Sequence, residues 1–269
     1  MKIGIVIDST LDVSDEVRDK VNIVSLTVRI ADKVFKDGDI SLEEMFDMVR
    51  KTNSFPKTSQ PSPGEFEEAY RNLLENHDYV ISLHISSKLS GTYSSARLAA
   101  EKFKGRVFVF DTLSTSIIGD FYVRKILNML DKHPEEIRKE LERIRKGSTF
   151  FLTPGDLEFL KRGGRISKAK ALLGAVLKLR PVIQVVDGEL VAKKISRGKK
   201  GPLNYMKKVI EDYNAFFLIG GILEEKIPQE LAEYAEKLGK KFRVVMVKSL
   251  SLAAHLGPGS FGVAPFEYA

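Results

Sequence analysis

Cysteine and tryptophan are absent from this chain. Without a thiol there is no disulfide framework, no thiolate nucleophile and no Cys-ligated metal. Histidine is scarce as well. His77, His84, His133 and His255 stand apart, with no pair at metal-ligand spacing, so no metal site is expected. No apolar run approaches the roughly 20 residues that a membrane-spanning helix requires. Met1 leads straight into the strand-like run KIGIVID instead of a signal-peptide layout. The expectation is a cytoplasmic protein with, at most, transient membrane contact. Two catalytic signatures are also missing: the GxSxG elbow of α/β hydrolases and the GxxxxGKS/T phosphate loop.

What is present suits two soluble domains. The 269 residues can bury a substantial core and a ligand cavity besides. Apolar residues at 43% and charged residues at 29% are ordinary for a globular protein. The net charge of +7 is concentrated: residues 151–200 carry 12 basic side chains against 4 acidic ones, while the rest of the chain is close to balance. A local surplus of this kind points to an anionic ligand or partner. Nucleic acid is not expected, because no aromatic residue is interleaved among the basic ones between Arg162 and Lys200.

The first half alternates strand and helix signals. KIGIVID (2–8), NIVSLTV (22–28), DYVISLHI (78–85) and RVFVFD (106–111) read as strands. Helical patterns fall at 41–51, 64–76, 91–104, 116–131 and 135–146. This order predicts a parallel-sheet, Rossmann-like βαβ domain. Gly147 suits the end of the last helix, so the boundary is placed there, giving domains 1–147 and 148–269. The second half mixes its signals. Strand STFFLT (148–153), a short helix ending at Gly163-Gly164 and a helix over 166–178 precede PVIQVVDGELVAKKIS (181–196). In that last run Asp187-Gly188 sits between two alternating stretches, a strong hairpin signal. Helices at 201–212 and 228–239, strands AFFLIGG and FRVVMVKSL, and a short helix before GPGSFGVAPF complete an α+β domain with a mixed sheet. Pro265 is expected to interrupt the final strand.

Three hydroxyl-rich loops fall at strand ends or helix starts: Asp8-Ser9-Thr10, TSQPSPGEF (58–66) and ISSKLSGTYSSA (85–96). Ligands of open parallel sheets bind at the carboxyl ends of strands. The backbone amides around Gly91, ahead of a helix, suit an anion. A single such loop is more often a plain helix cap; three along one sheet edge favour a carboxylate or phosphate site. Lys161, Arg162, Arg165 and Lys168 surround two glycines in LKRGGRISK (160–168), and Arg197 lies in the basic stretch KKISRGKKG (193–201). From these segments alone each reads first as a solvated basic turn and only second as an oxyanion contact. His255 sits beside the Gly257-Pro258-Gly259 turn, where it could donate to an anion or remain purely structural.

The set DST, TSQPSPGEF, ISSKLSGTYSSA, FVFDT, LEFLKRGGRIS and HLGPGSFGV, in this order over nearly the whole chain, resembles the DegV family of bacterial fatty-acid-binding proteins. The resemblance implies a long-chain fatty acid such as palmitate or oleate as ligand, with its acyl chain in a tunnel between two domains. It implies no cofactor and no catalytic residue of the chain's own. It also implies a possible role as the acyl-carrying subunit of a fatty acid kinase, serving phospholipid metabolism through a separate kinase subunit. The carboxylate contacts it implies are Thr58 with its neighbour Ser59, Ser90 with the Gly91 amide, Arg165 and His255. Arg197 takes the position of a partner or phosphate contact. A competing reading is a serine-dependent hydrolase or acyltransferase in which Ser90 or Ser59 acts with His255 and an acid, Asp8 or Asp111.

Overall fold

The computed structural model describes residues 1–165 and 179–267. The helix expected over 166–178, with Lys168 and the ALLGAVL run, lies outside them. Strand β1 (Ile3–Asp8) is buried throughout, and β6 (Tyr79–His84) is buried after its first residue. Strands covered on both faces belong in the middle of a parallel sheet. They form the centre of one, in the order β2 (Asn22–Val24), β1, β6, β7 (Val107–Asp111).

Alternation along β1 sends Ile5 and Ile7 to one face and Val6 to the other. On the Val6 side lie Phe66 and Tyr70 of α3 (Pro63–Leu74) with Ala96 and Ala99 of α4 (Thr92–Ala100). The opposite face takes Tyr122 of α5 (Ile118–Leu127) and Leu141 of α6 (Pro134–Lys146). Helix starts follow local chemistry. In α3, Ser62 and Glu65 make a reciprocal capping box with Pro63 in the first turn, and His133 with Glu136 does the same for α6. The short α1 (Asp15–Arg18) follows the loop after β1.

Residues 22–28 do not form the single expected strand. The chain leaves the parallel sheet after Val24, where Leu26 N donates to Ser9 Oγ and Ser25 Oγ donates to Asp37 O. It then builds a separate antiparallel sheet, β4 (Lys33–Lys36), β3 (Thr27–Ile30), β5 (Lys57–Ser59). Lys57-Thr58-Ser59 is short and polar and carries no strand signal, since its pairing comes from β3 alone. Helix α2 (Leu42–Thr52) covers this sheet, with its own capping box at Ser41 and Glu44.

The second sheet has six strands in the order β10 (Glu189–Arg197), β9 (Leu179–Val186), β8 (Phe150–Thr153), β13 (Ser260–Phe266), β11 (Phe216–Ile222), β12 (Phe242–Val244). Only the β11–β12 pair is parallel; the other neighbours are antiparallel. The hairpin turns at Asp187 and Gly188, both at positive φ (48° and 80°), as a type I′ turn requires. The helices of this half are α7 (Leu157–Arg162), α8 (Lys200–Asp212), α9 (Lys226–Lys237) and α10 (Leu250–Leu256). Strand β13 runs through Pro265. Pro265 pairs with Phe217 of β11, and on the β8 side its carbonyl accepts from Thr149 N (3.3 Å) while a bridge between Ser148 and Phe266 carries the pairing past it, so both neighbours hold the strand although the proline supplies no N–H. The FRVVMVKSL run pairs as a strand only over β12, although Val245 N still donates to Ile219 O and Val247 N to Gly221 O.

One apolar core runs through both halves, joining Ile7 and Leu83 to Leu152, Ile183 and Leu250. Phe121 stacks on Phe266 with centroids 4.0 Å apart. A polar clamp supplements this core. Asp12, in the loop after β1, accepts from Lys248 N (2.7 Å) and Ser249 N (3.1 Å) at the start of α10. Burial pushes the Asp12 carboxyl up to about 7, with the nearby Asp37 adding to the rise and the two backbone donors opposing it. Between an unfolded pKa near 3.8 and a folded one near 7, the folded state holds the extra proton. The stability this carboxyl contributes at low pH is therefore lost as pH rises through that window, by up to about 1.4 kcal/mol per pH unit. Chemical denaturation from pH 4 to 8 is expected to show Asp12→Asn gaining on wild type across the window and levelling off above it. Parallel pH profiles for the two proteins would contradict this assignment.

Candidate functional site

The carboxyl ends of β1, β6 and β7 open onto a cavity of about 560 Å³, counting the part open to solvent. From the first half Thr10, Leu26, Thr58, Ile85, Leu89, Ser90 and Thr115 reach it. The second half adds Leu152 of β8, Leu160 of α7, Arg165, Leu190 of β10 and four residues of α10, Ser251, Leu252, His255 and Leu256. Eight of the fifteen are leucine or isoleucine, and the rest are polar or basic. Apolar walls with a few convergent polar groups are the usual make-up of a small-molecule site.

Four of the expected residues meet here. Thr58 Oγ1 and His255 Nε2 are 2.9 Å apart although 197 positions separate them in sequence. Ser90 Oγ lies 2.8 Å from Thr92 Oγ1 and receives Thr92 N (3.3 Å), so it also serves the start of α4. Arg165 donates from Nη1 to Gly163 O (2.8 Å) and from Nε to Leu89 O (3.4 Å), bridging the two halves. Among the described residues no carboxylate pairs with it, which leaves guanidinium donors unused at the cavity.

The double glycine has a steric reason. A Cβ on Gly163 would lie 2.0 Å from His255 Nδ1, and Gly164 adopts a left-handed φ of 71°. The ring therefore packs directly on the turn that carries Arg165. His255 Nδ1 is buried without a hydrogen-bond partner among the described residues. Burial, with a smaller contribution from the Arg165 charge, lowers the His255 pKa to about 4, so the imidazole is neutral near pH 7.

Other expected residues lie elsewhere. Ser59 follows Thr58 on β5, pairs with Thr27 and is exposed; it is not in the cavity wall. Gly91 precedes α4, where a Cβ would lie 2.0 Å from Gln60 Oε1, so its backbone makes room for Gln60 and is not part of the lining. Arg197 closes β10, exposed and outside the cavity. Arg162 lies over the Phe55 ring (4.3 Å) and pairs with Glu158, and Lys161 shares Glu158.

The Ser-His-Asp relay is not assembled. His255 meets Thr58, its Nδ1 has no acid to orient it, Asp8 is held by His84, and Asp111 accepts from Ser87 N and Leu113 N.

Sequence reasoning missed a buried polar chain behind the wall. Tyr70 Oη donates to Ser82 Oγ (2.9 Å), and Ser82 Oγ bonds His84 Nε2 (2.7 Å). His84 Nδ1 then bonds Asp8 Oδ2 (3.1 Å), and Thr10 donates to Asp8 Oδ1 through both N and Oγ1. All five side chains are buried, and burial raises the Tyr70 phenol. Polar residues alternating in YVISLH were the only trace of this chain in the sequence.

The sequence model of the DegV family matches residues 2–267. The chain belongs to the DegV family. A DegV domain-containing protein of Deinococcus radiodurans is 34% identical over 98% of both chains. A solved structure described as fatty acid binding of a DegV family protein from Thermus thermophilus superposes with a TM-score of 0.92, at 35% identity, over 99% of this chain and 100% of that one. The Streptococcus pneumoniae Fatty Acid Kinase (Fak) B3 protein, solved loaded with linoleic acid, has a TM-score of 0.87 over 99% and 100% of the chains. At 21% identity it shows the shared fold alone. Among the described residues no helix is long and apolar enough to cross a membrane.

The balance of causes at His255 makes a prediction. In ligand-free protein the ring is expected to titrate below pH 5 by NMR. Arg165→Gln should raise that midpoint without restoring the ordinary 6.5, since burial is the larger cause. A wild-type midpoint above 6 would show that the ring is hydrated and not enclosed.

Proposed function

We propose that this protein binds a long-chain fatty acid, with the carboxylate among Thr58, Ser90, Arg165 and His255 and the acyl chain along the leucine-lined cavity. The observation that carries this reading is an arginine with no counter-ion among the described residues beside a Thr–His pair at a largely apolar cavity. A carboxylate supplies the missing charge and accepts the unused guanidinium donors. The family relatives described as fatty-acid binding support the choice of acid. A second, smaller cleft lined by Gly220 and Gly221 shares Leu152 and Leu256 with the first, and the proposed path of the tail runs towards it. Burying about 16 carbons is worth roughly 12 kcal/mol before association costs, ample for tight binding. Residues 1–147 and 148–269 are taken as the two domains whose junction houses the chain.

In this reading the protein carries its ligand and performs no chemistry on it. The basic stretch around Arg197 is the proposed contact for a kinase subunit that phosphorylates the carboxylate, as the likeness to the Fak B3 protein suggests. Arg197, Lys193, Lys194 and Lys200 are exposed, while Lys199 pairs with Glu224 (2.5 Å). Exposed cations speed encounter with an acidic partner and stabilise transferring phosphate.

Denaturing extraction of protein purified from cells is expected to release one long-chain fatty acid per chain by mass spectrometry. Ser90→Ala and Thr58→Val should each weaken retention by about 1–3 kcal/mol, and Arg165→Ala by as much or more. No extracted acid together with no uptake of palmitate or oleate would refute the proposal; unchanged affinity in all three variants would move the carboxylate elsewhere.

Arg197→Ala should keep its fatty acid but form acyl phosphate more slowly with a cognate kinase subunit, with rates falling further as salt rises. Loss of the bound acid in that variant would place Arg197 in the ligand site instead.

A further inference from the structure

Three hydroxyls line the same cavity without belonging to the carboxylate group: Thr10, Thr115 and Ser251. They come from the loop after β1, the loop after β7 and the first turn of α10, and each is at most 4% exposed. Backbone contacts gather these elements. Ser116 N donates to Thr10 O (2.8 Å), and Ser9 Oγ and Ser251 N both donate to Asp37. Thr10 Oγ1 spends its hydrogen on Asp8, so towards the cavity it can only accept. Among the described residues Thr115 Oγ1 and Ser251 Oγ have no hydrogen-bond partner; Ser251 Oγ approaches Asp37 without reaching bonding geometry.

Buried hydroxyls without partners are rare and costly in folded proteins, and a bare acyl chain passing them satisfies neither. A hydroxyl group on the chain would satisfy both sides, donating to Thr10 while accepting from Thr115 or Ser251. Ser251 and His255 are four residues apart on α10, so their side chains lie on one face about 5–6 Å apart. An oxygen at the hydroxyl cluster is therefore near the carboxyl end of the chain, not at its tail. We infer that Thr10, Thr115 and Ser251 form a second polar subsite for a hydroxyl on the first few carbons of the acyl chain, making a hydroxylated fatty acid the preferred ligand class. The inference rests on the fatty-acid reading. A single water with these three partners is the competing occupant.

Competition between palmitate and its β-, δ- and ω-hydroxy derivatives for delipidated full-length protein tests it. Wild type is expected to bind the β- or δ-hydroxy acid about tenfold more tightly than palmitate, and the ω-hydroxy acid no better than palmitate. Thr115→Val with Ser251→Ala should bring the β- and δ-hydroxy acids to the same affinity as palmitate in that variant, with a cooperative thermal unfolding transition reporting that the variant is folded. Equal affinities in wild type, a preference for the ω-hydroxy acid, or a preference that survives in the variant would overturn the subsite and leave fatty-acid binding standing. Failure of palmitate and all hydroxy acids to bind wild type would overturn both. The wild-type comparison decides even if the double variant does not fold.

Discussion

Two aspartates at the exit of β1 hold the loops from which the cavity is built. Asp8 accepts from Thr10 N, Thr10 Oγ1 and Ile85 N and bonds the His84 ring, while Asp12 accepts from Lys248 N and Ser249 N. Loops at the carboxyl ends of parallel strands have backbone N–H groups with no ladder partner, and those N–H groups cannot be left bare once buried. Carboxylates meet that need with short side chains. In doing so they fix the loops after β1 and β6 and the start of α10 against one another. Thr10 and Ser90 stand on these loops, Ser251 and His255 on α10, Thr58 on β5, which packs against α10, and Arg165 on the turn after α7, which does the same; Thr115 comes from the loop after β7.

The site then separates two tasks. Leucines from both halves supply a volume without polar demands, and the polar groups collect where Arg165 enters. Gly163 is the hinge of this arrangement because only a residue without a side chain lets the His255 ring and the Arg165 turn share the same space. Enclosure keeps the ring neutral, so the positive charge beside the cavity belongs to Arg165. A neutral ring bonded to Thr58 orients that hydroxyl without adding a second cation that would itself require a counter-ion.

Much of this architecture was legible from the residues. Short β-branched runs, the helical patterns between them and the Asp187-Gly188 turn located the parallel sheet, most helices and the hairpin, because each rests on local chemistry. The motif resemblance picked out Thr58, Ser90, Arg165 and His255, which the fold does bring to one cavity. It also picked out Ser59 and Gly91, which the fold places outside the lining: strand alternation turns Ser59 outward, and the Gly91 backbone packs on Gln60.

Local patterns therefore determined the element types, the parallel order of the first half and the hydroxyl-rich sheet edge. The antiparallel strand at Thr58 was decided by β3, which offers edge hydrogen bonds to a segment with no strand propensity of its own. Pro265 stays within a strand because β11 pairs with it on one side and Thr149 N reaches its carbonyl on the other, a matter of register that no single strand records. The buried chain from Tyr70 to Thr10 and the unpartnered hydroxyls of Thr115 and Ser251 depend on which residues end up enclosed together. Periodicity along a chain encodes which face is apolar, whereas the pairing of polar atoms across 76 to 236 positions exists only once the sheets and α10 have closed on one another.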